Sequence, residues 1–467
     1  MTDGPITAAV AAFALRMRHE GPGERVRTLA RRVVLDQIGL QVGCARLPAS
    51  VVAHEYVRRT ARTGTATVLV HGDRLSAEGA SFANAAFGHG QDFDDTCRPA
   101  QTHAGAVVVP TAVAVAEEVG ANGQATLRAI AAGLEVMVRV AHMVSPVCLR
   151  RGQHPMLVAG PFGAAVAAGM LWELDEGQMI HALGIAGSHP GGLVEYSESG
   201  GSVKRLHGAI PTTGGIRSAW MARYGLTGPT AVFEGSKGVG RAFAETPELG
   251  RLGDDLGARW LLDDLAFKFY NCCYFIHPAI DAARELIRQD DLRPADIAAV
   301  RVGTSRQSLT HVGKIVTPRD EVGAQFSMSF TLALVLLGQI PGIDTYSEAC
   351  LADPEALRLA SLVRVEEDSV AEAEYPANWG SIVTIATHDG REMSSRVRDP
   401  LGTREHPCSD TDLRTKFLHN VTPVLGRERA AALYERAARL DDLSNMAALT
   451  ALSLDTELPE EHLARTS

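Results

Sequence analysis

A dense polar segment lies between two apolar runs in the first quarter of the chain. It extends from His89 to Gly105 and holds three aspartates, two histidines, an arginine and two threonines, with neither helical nor strand periodicity. Residues 82–87 before it and 106–110 after it are mostly apolar. Because polar groups are costly to bury without partners, this segment must be either solvated or paired. We therefore expect the fold to bring other polar segments up to it.

Helical periodicity dominates the chain up to residue 266. In residues 124–144, Leu127, Ile130, Leu134 and Met137 recur at spacings of three and four, which predicts one buried helical face. Pro110 suits the first position of another helix, which we expect to run to about residue 118. The apolar run 156–172 contains a proline and several glycines, which favours a buried helix over a membrane span.

The pattern changes near residue 267. Residues 297–304 alternate as a strand, residues 326–337 and 354–362 are typical of helices, and residues 381–387 and 391–398 predict a hairpin with Asp389 and Gly390 at its turn. Helical segments return after residue 400. The predicted fold is therefore mostly α with an α+β second domain. A large all-helical domain is formed by both chain ends, 1–266 and 403–467, and residues 267–402 form an inserted α+β lid domain that closes over a site.

Composition restricts the partners and the compartment. The net charge of −10 over 467 residues disfavours nucleic acid and anionic membranes. The seven cysteines are scattered without a CxxC pair, which favours a reducing cytoplasm and disfavours zinc or iron–sulfur sites. The start of the chain carries Asp3 and no basic stretch, so we do not expect a secretory signal.

Lysine is rare in this chain. Among 45 basic residues only five are lysines, at positions 204, 237, 268, 314 and 416. A lysine that persists against this bias is a candidate for a position that needs a compact ammonium group with a tunable pKa. We assign that role to Lys204 and Lys268, and interpret the other three as chance.

Three further polar segments contain cations or histidines beside glycine, proline or aromatic residues, namely 149–155, 195–207 and 268–278. Lys204, Arg205 and Lys268 are suited to binding carboxylates. His103, His154 and His277 are candidates for proton transfer. Binding a carboxylate stabilises a carbanion that forms next to it, so proton abstraction, loss of water and decarboxylation all remain open.

Two other kinds of site are less favoured. Asp92, Asp94 and His103 offer oxygen and imidazole ligands for Mg²⁺, Mn²⁺ or Zn²⁺, but their spacing matches no standard metal site. Cys272 and Cys273 have no base next to them in the sequence, so we expect them to be buried rather than nucleophilic. We predict neither a metal nor a cofactor.

The motifs resemble those of the MmgE/PrpD family. They are Asp92-Phe93-Asp94-Asp95-Thr96 with Thr102-His103, then Lys204-Arg205-Leu206-His207, then Tyr224-Gly225-Leu226-Thr227-Gly228-Pro229 with Phe233-Glu234-Gly235, and finally Lys268 through His277-Pro278-Ala279-Ile280-Asp281. The resemblance follows chain order over nearly the whole length. The family includes dehydratases of 2-methylcitrate, decarboxylases of cis-aconitate and epimerases of iminodisuccinate.

The resemblance implies a homodimer, metal-free catalysis and an active site between the two domains. It places proton transfer on His103 and His154, carboxylate binding on Lys204 and Lys268, and the shape of the pocket on Asp92 and Thr96. The remaining candidates are His277 as a catalytic group and a substrate-binding set of Arg205, His207, Cys273 and Phe330.

This sequence also departs from the decarboxylases of that family. The segment between Thr96 and His103 is one residue longer. Phe330 aligns with a functional tyrosine, and Cys273 aligns with a second histidine that His277 is able to replace.

We therefore expect a metal-independent lyase that acts on a small di- or tricarboxylate. Its reaction is dehydration of a hydroxy acid like 2-methylcitrate, or a related decarboxylation, through a carbanion next to a carboxylate. The alternatives are an epimerase of a dicarboxylate such as iminodisuccinate, and a binding protein that kept the fold without activity.

Overall fold

The computed structural model describes residues 5–290 and 292–455. These residues form a mostly helical protein with an α+β part, which confirms the predicted fold class. Asp3, on which the prediction about a secretory signal rests, lies outside the described residues, as do the outermost parts of the predicted ranges 1–266 and 403–467. Among the described residues, every helix is too short or too polar to cross a lipid bilayer.

Helices make up most of the chain before residue 260. They are Ile6–Glu20, Glu24–Gly43, Pro48–Thr60, Ala77–Gly88, Gly105–Val119, Gly123–Val144, Val147–Arg150, Pro155–Leu171, Glu176–Ala186, Tyr196–Ser199, Ala209–Arg223, Val239–Phe243 and Gly250–Gly253. Every residue of Pro155–Leu171 is buried, as predicted for the apolar run. Its glycines make this possible, because a Cβ at Gly163 would lie 2.8 Å from the Gly133 carbonyl oxygen of the neighbouring helix.

The predicted start of the helix at Pro110 is wrong. The helix begins at Gly105, and Pro110 lies inside it. The Gly105 N–H donates to both carboxylate oxygens of Asp95, at 3.0 and 3.1 Å. The prediction at Pro110 used only the residues next to it in the sequence. It therefore missed Asp95, which accepts the hydrogen bond at the start of the helix.

A four-stranded sheet lies in the second part of the chain. Its order is Val363–Glu367, Ile297–Thr304, Ser381–Thr387 and Glu392–Val397; the first pair is parallel and the others are antiparallel. The predicted strand 297–304 and the predicted hairpin are both confirmed. Two short strand pairs complete the β structure, Thr63–Thr67 with Arg74–Leu75 and Thr96–Cys97 with Leu265–Ala266.

The helices around this sheet are His277–Asp290, Arg306–Val312, Glu321–Gln325, Met328–Leu336, Glu348–Leu351, Pro354–Leu362 and Ser369–Glu374. The helix predicted for 326–337 is present as Met328–Leu336 and begins two residues later than predicted. Ser327 caps it by accepting a hydrogen bond from the Phe330 N–H at 3.0 Å. The last helices of the described residues are Asp410–Leu425, Arg427–Ala438 and Ala447–Thr450.

The C-terminal helices return to the first part of the protein. Lys416, in Asp410–Leu425, binds Asp36 Oδ1 at 2.6 Å and the Phe93 carbonyl oxygen at 2.8 Å. Lys416 therefore holds the backbone of the polar segment through buried contacts, a role that the interpretation of this lysine as chance did not predict. Buried apolar residues form two clusters, one drawn from 10–267 and 408–449 and one drawn mainly from 266–385. The boundaries at 266/267 and 402/403 stay a prediction.

Candidate active site

A small cavity of about 60 Å³ lies where the polar segment meets the start of the second hydrophobic cluster. It is lined by Asp92, Thr96, Gln101, His103, Leu149, His154, Val194, Tyr196, Lys204, Lys268, Cys273, Tyr274, Phe275, His311, Phe326 and Trp379. Seven of the eleven residues predicted from the sequence are among them. Arg205, His207, His277 and Phe330 are not.

Two lysines share one carboxylate oxygen in this cavity. Lys268 Nζ lies 2.6 Å and Lys204 Nζ 2.8 Å from Asp92 Oδ1, and Lys268 also donates to the Asp92 carbonyl oxygen at 2.9 Å. Asp92 has a φ of 51°, a left-handed conformation that aspartate tolerates better than most residues. The turn at Asp92 therefore directs both its carbonyl and its carboxylate to the lysines.

Burial and charge change the pKa values of these three groups differently. Burial opposes ionisation of Asp92, but Lys204 and Lys268 outweigh it and hold the pKa of this carboxyl well below its usual range. Burial also lowers the pKa of Lys204, and the attraction of Asp92 does not fully compensate. For Lys268 the attraction of Asp92 and Asp94 exceeds the effect of burial, so its pKa is raised. Of the two lysines, Lys268 therefore holds its proton more firmly and Lys204 releases its proton more readily.

His103 is held as a neutral imidazole. Its Nδ1 lies 2.8 Å from the Asp95 carbonyl oxygen. Because a carbonyl only accepts hydrogen bonds, Nδ1 carries the proton and Nε2 carries the lone pair. Burial lowers the pKa of His103 to about 3, despite the opposing charge of Asp94. The ring is therefore neutral at pH 7 with an unprotonated Nε2, and its low pKa makes it a weak base.

His89 connects Asp94 to Lys204. Its Nδ1 donates to Asp94 Oδ2 at 2.8 Å, and its Nε2 lies 3.4 Å from Lys204 Nζ. The ligand atoms of His89, Asp94 and His103 lie within 4.8 Å of one another, as in some metal sites. Asp94 Oδ2 already accepts a hydrogen bond from His89, and His103 Nδ1 already donates to the Asp95 carbonyl oxygen, although Asp94 Oδ1 has no partner. Because two ammonium groups also lie close by, the cluster is better suited to orienting Lys204 than to binding a dication.

His154 and His207 form a pair. Their Nδ1 atoms are 2.8 Å apart, so one ring donates and the other accepts. Burial lowers the pKa of His207 to about 3, and burial together with His207 holds the pKa of His154 well below its usual range. His154 lines the cavity and His207 lies behind it, so His207 determines which nitrogen of His154 carries the proton.

Arg205 also lies behind the cavity. Its guanidinium donates to Gln325 Oε1 at 2.8 Å, and Gln325 Nε2 in turn donates to Gln91 Oε1 and Asn271 Oδ1, both at 2.7 Å. These bonds connect the polar segment to the second hydrophobic cluster. The bond to Gln325 uses Nη2 of Arg205, whereas its Nη1 is buried without a hydrogen-bond partner, and Arg205 is not among the residues that line the cavity.

His277 and Phe330 are buried away from the cavity. His277 is fully buried, its ring packs against Tyr270 and Tyr274, and burial with the nearby Lys268 charge holds its pKa well below its usual range. Phe330 is also fully buried, within the second apolar cluster. Their predicted roles at the substrate therefore have no support from geometry.

Thr96 and Cys273 do line the cavity. Thr96 pairs with Ala266 in a short antiparallel ladder, which fixes the polar segment against the start of the second part of the chain. Burial raises the pKa of the Cys273 thiol to about 12, so this residue offers a neutral S–H rather than a nucleophile.

Several lining residues were not identified as candidates from the sequence. Gln101 and Tyr196 lie in polar segments already singled out, and Phe275 lies in the segment that begins at Lys268. Nothing in the sequence distinguishes His311 or Trp379, because they come from distant segments and reach the cavity only through the tertiary fold.

Comparisons with known proteins indicate the family of this chain. Residues 8–252 match the sequence model of the MmgE/PrpD N-terminal domain, and residues 270–442 match that of the MmgE/PrpD C-terminal domain. The chain is 28% identical to cis-aconitate decarboxylase of Homo sapiens over 472 residues, which cover 97% of this chain and 95% of the relative. It is 26% identical to cis-aconitate decarboxylase of Aspergillus terreus over 474 residues, with 96% and 95% covered. The mouse enzyme of the same name is 26% identical over 450 residues, with 92% and 90% covered. The chain belongs to the MmgE/PrpD family.

Proposed function

We propose that this protein is a lyase that forms a carbanion next to a carboxylate of a small di- or tricarboxylate. The observation that carries the proposal is the convergence of Lys204 and Lys268 on Asp92 in a cavity that also contains neutral His103. Kinship to cis-aconitate decarboxylases over almost the full chain supports an enzyme of the lyase kind.

The lysine pair supplies the electrostatic stabilisation. Two ammonium groups and one carboxylate leave one net positive charge where a substrate carboxylate binds. When the neighbouring carbon loses a proton or CO₂, negative charge spreads onto that carboxylate, and a preorganised cation stabilises it in a site that excludes water. Lys268, with its raised pKa, is the group suited to this role at every physiological pH.

Dehydration needs one base and one acid. His103 Nε2 accepts the proton from the carbon next to the bound carboxylate, the C–O bond of the β-hydroxyl breaks, and the leaving hydroxide takes a proton from Lys204 to become water. The lowered pKa of Lys204 makes it a better proton donor to the leaving hydroxide. Lys204 Nζ also lies 3.4 Å from His89 Nε2, which accepts a hydrogen bond from it.

Decarboxylation and epimerisation use the same groups in other ways. In decarboxylation the C–C bond to the leaving CO₂ breaks, and Lys204 supplies the proton that replaces it. In epimerisation His103 removes a proton and an acid on the opposite face returns one. The neutral state of His103 favours the two reactions that begin with proton abstraction.

The proposal needs side chains only, so we expect no cofactor and no metal. Activity in excess EDTA should equal activity in its absence, and a loss reversed by added Mg²⁺, Mn²⁺ or Zn²⁺ would reassign His89, Asp94 and His103 as ligands. A homodimer and a cytoplasmic location stay predictions.

Proton NMR in heavy water tests the reaction class directly. The purified chain is incubated with 2-methylcitrate, citrate, cis-aconitate and iminodisuccinate, with Lys204→Met as the matched inactive variant. New vinyl signals without release of CO₂ indicate loss of water, and new signals accompanied by release of CO₂ indicate decarboxylation. Deuterium in recovered substrate without net conversion indicates an isomerase. If wild type converts none of these acids, the proposed lyase is wrong; if Lys204→Met converts them as fast as wild type, the role given to Lys204 is wrong.

A further inference from the structure

The side chain of Tyr196 brings a hydroxyl group to the cavity. Tyr196 begins the short helix Tyr196–Ser199, lines the cavity and is 5% exposed. Burial, and then the nearby Asp92 and Cys273, hold the pKa of its hydroxyl well above the usual range. Because Asp92 and Cys273 also line the cavity, the hydroxyl end of the ring is directed inward. At pH 7 this group is a neutral O–H that is able to donate a hydrogen bond.

The Tyr196 hydroxyl has no hydrogen-bond partner among residues 5–290 and 292–455. Other tyrosines in this part of the protein have one. The Tyr346 hydroxyl lies 3.1 Å from Thr331 Oγ1, and the Tyr375 hydroxyl accepts a hydrogen bond from Gln101 Nε2 at 2.8 Å. A buried hydroxyl without a partner costs free energy of folding, so this group is available to a bound molecule.

Tyr274 shows why the direction of the hydroxyl matters. Its ring also lines the cavity, and its buried hydroxyl also lacks a partner. Burial raises the pKa of this hydroxyl, and the groups that act on it next are Arg98, Asp281, Asp399 and Glu405. These four are not among the described residues that line the cavity. The Tyr274 hydroxyl is therefore directed away from the cavity, unlike that of Tyr196.

Three rings hold Tyr196 in position. Its ring centroid lies 5.3 Å from that of His207, 6.0 Å from that of Phe326 and 6.2 Å from that of His154, and all three contacts are edge-to-face. Lys204 Nζ lies 5.9 Å from the centroid of the same Phe326 ring. A hydroxyl without a partner is thus fixed close to an ammonium group. A carboxylate is the group that accepts hydrogen bonds from both kinds of donor.

We propose that Tyr196 is a further substrate-binding residue, whose hydroxyl donates a hydrogen bond to the carboxylate that Lys204 and Lys268 attract. This inference rests on the proposed function for its class of ligand, a small di- or tricarboxylate. The carboxylate gains negative charge as the carbanion forms next to it, so the hydrogen bond from Tyr196 strengthens in the transition state.

Tyr196→Phe tests the inference, because it removes the hydroxyl and keeps the ring. Isothermal titration at pH 7.5 measures the dissociation constants of succinate and tricarballylate, saturated acids without a hydroxyl to lose. For an acid that wild type binds, Tyr196→Phe should raise the dissociation constant about tenfold or more, as expected for a hydrogen bond to a charged group. Equal constants for the two proteins, or no binding of either acid by wild type, would overturn the inference.

Tyr56→Phe is the matched control. It removes a hydroxyl from a ring that is 55% exposed on the helix Pro48–Thr60, outside the cavity, and should change neither dissociation constant. A control that weakens binding as much as Tyr196→Phe would contradict a specific role for Tyr196.

Urea unfolding separates binding from a structural role. Because the Tyr196 hydroxyl has no partner among the described residues, Tyr196→Phe should unfold at the same urea concentration as wild type or at a higher one. A lower unfolding midpoint would show that the hydroxyl supports the fold, and it would contradict the inference.

Failure of this inference differs from failure of the proposed function. If wild type converts an acid of the NMR panel and Tyr196→Phe binds and converts it equally well, the protein remains a lyase and the role of Tyr196 is refuted. If wild type converts none of the acids but Tyr196→Phe weakens the binding of succinate or tricarballylate, the role of Tyr196 is kept and the lyase is refuted.

Discussion

Lys204 and Lys268 bind the same oxygen, Asp92 Oδ1, at 2.8 and 2.6 Å, yet their pKa values move in opposite directions. Lys268 also donates to the Asp92 carbonyl and gains from Asp94, whereas burial dominates at Lys204. We therefore propose that these two like side chains in different environments have different roles, Lys268 as a fixed cation and Lys204 as a proton donor.

The two lysines should therefore fail differently when each is replaced by methionine. Lys204→Met should lower kcat about 100-fold or more, because it removes an acid from the transition state. The rate of the wild-type protein should fall at alkaline pH as Lys204 loses its proton, at a pH below the ordinary pKa of lysine. Lys204→Met should no longer show this alkaline fall. Lys268→Met should raise KM and keep the alkaline fall. Identical profiles for the two variants would contradict the division of roles.

Asp92→Asn should destabilise the protein strongly. It leaves two buried ammonium groups without their carboxylate, a change that costs about 3–5 kcal/mol in comparable buried pairs. Glu198→Gln is the matched control, because Glu198 binds Lys314 at 3.0 Å with both side chains more than half exposed. The control should change the free energy of unfolding by less than about 1 kcal/mol. Urea unfolding measures both, and equal effects would show that the lysine pair is not buried as described.

Gly105→Ala should disturb both stability and activity. A Cβ at Gly105 would lie 2.1 Å from Asp95 Oδ1 and 2.8 Å from Val33 Cγ1, so the start of Gly105–Val119 must shift. Overpacking of this kind costs about 1–3 kcal/mol. Activity should fall with it, because His103 is oriented by the Asp95 carbonyl oxygen. Gly191→Ala has no atom within 4 Å and should be neutral. A stable, fully active Gly105→Ala would contradict the proposed role of this helix start.

Stability should decrease as the pH falls from about 6.5 towards 4. Burial lowers the folded-state pKa of His103 and His207 to about 3 and of His71, His142 and His311 to about 4. In this range the unfolded chain takes up protons that the folded chain does not, and each histidine contributes up to about 1.4 kcal/mol per pH unit. Asp95, whose pKa burial raises to about 7, acts in the opposite direction, as do Asp36 and Asp264, whose pKa values burial also raises.

Urea unfolding at pH 7, 6 and 5 measures this slope. His142→Gln, a change outside the cavity, should reduce it by roughly one proton. A free energy of unfolding that stays constant between pH 7 and 5 would contradict the neutral state of the buried histidines.

The order of helices and strands could be predicted where local periodicity determined it. The strand Ile297–Thr304 and the hairpin after it depend on alternation and an Asp-Gly turn, and both are present. The helix start at Gly105 depends on the Asp95 carboxylate, which lies ten residues earlier, so Pro110 was misleading. The local sequence pattern gives no information about hydrogen-bond partners that lie ten residues away.

The candidate site was predictable only in part, for the same reason. Lysine scarcity identified Lys204 and Lys268, but it did not reveal that Lys416 supports the polar segment through Asp36. The hydrogen bonds of His89 to Asp94 and Lys204 become visible only when the turn at Asp92 is known. Trp379 and His311 carry no local signal in the sequence, although both line the cavity.

The central claim is that His103 moves a proton on the carbon next to a carboxylate held by Lys204 and Lys268. The most direct measurement is the rate at which the proton at that carbon is lost or exchanged, followed by proton NMR in heavy water for the acid that wild type converts. Wild type and His103→Gln are compared at equal concentration and equal folded fraction. We predict a rate at least about 100-fold lower for His103→Gln, and equal rates in the two proteins would contradict the assignment of His103.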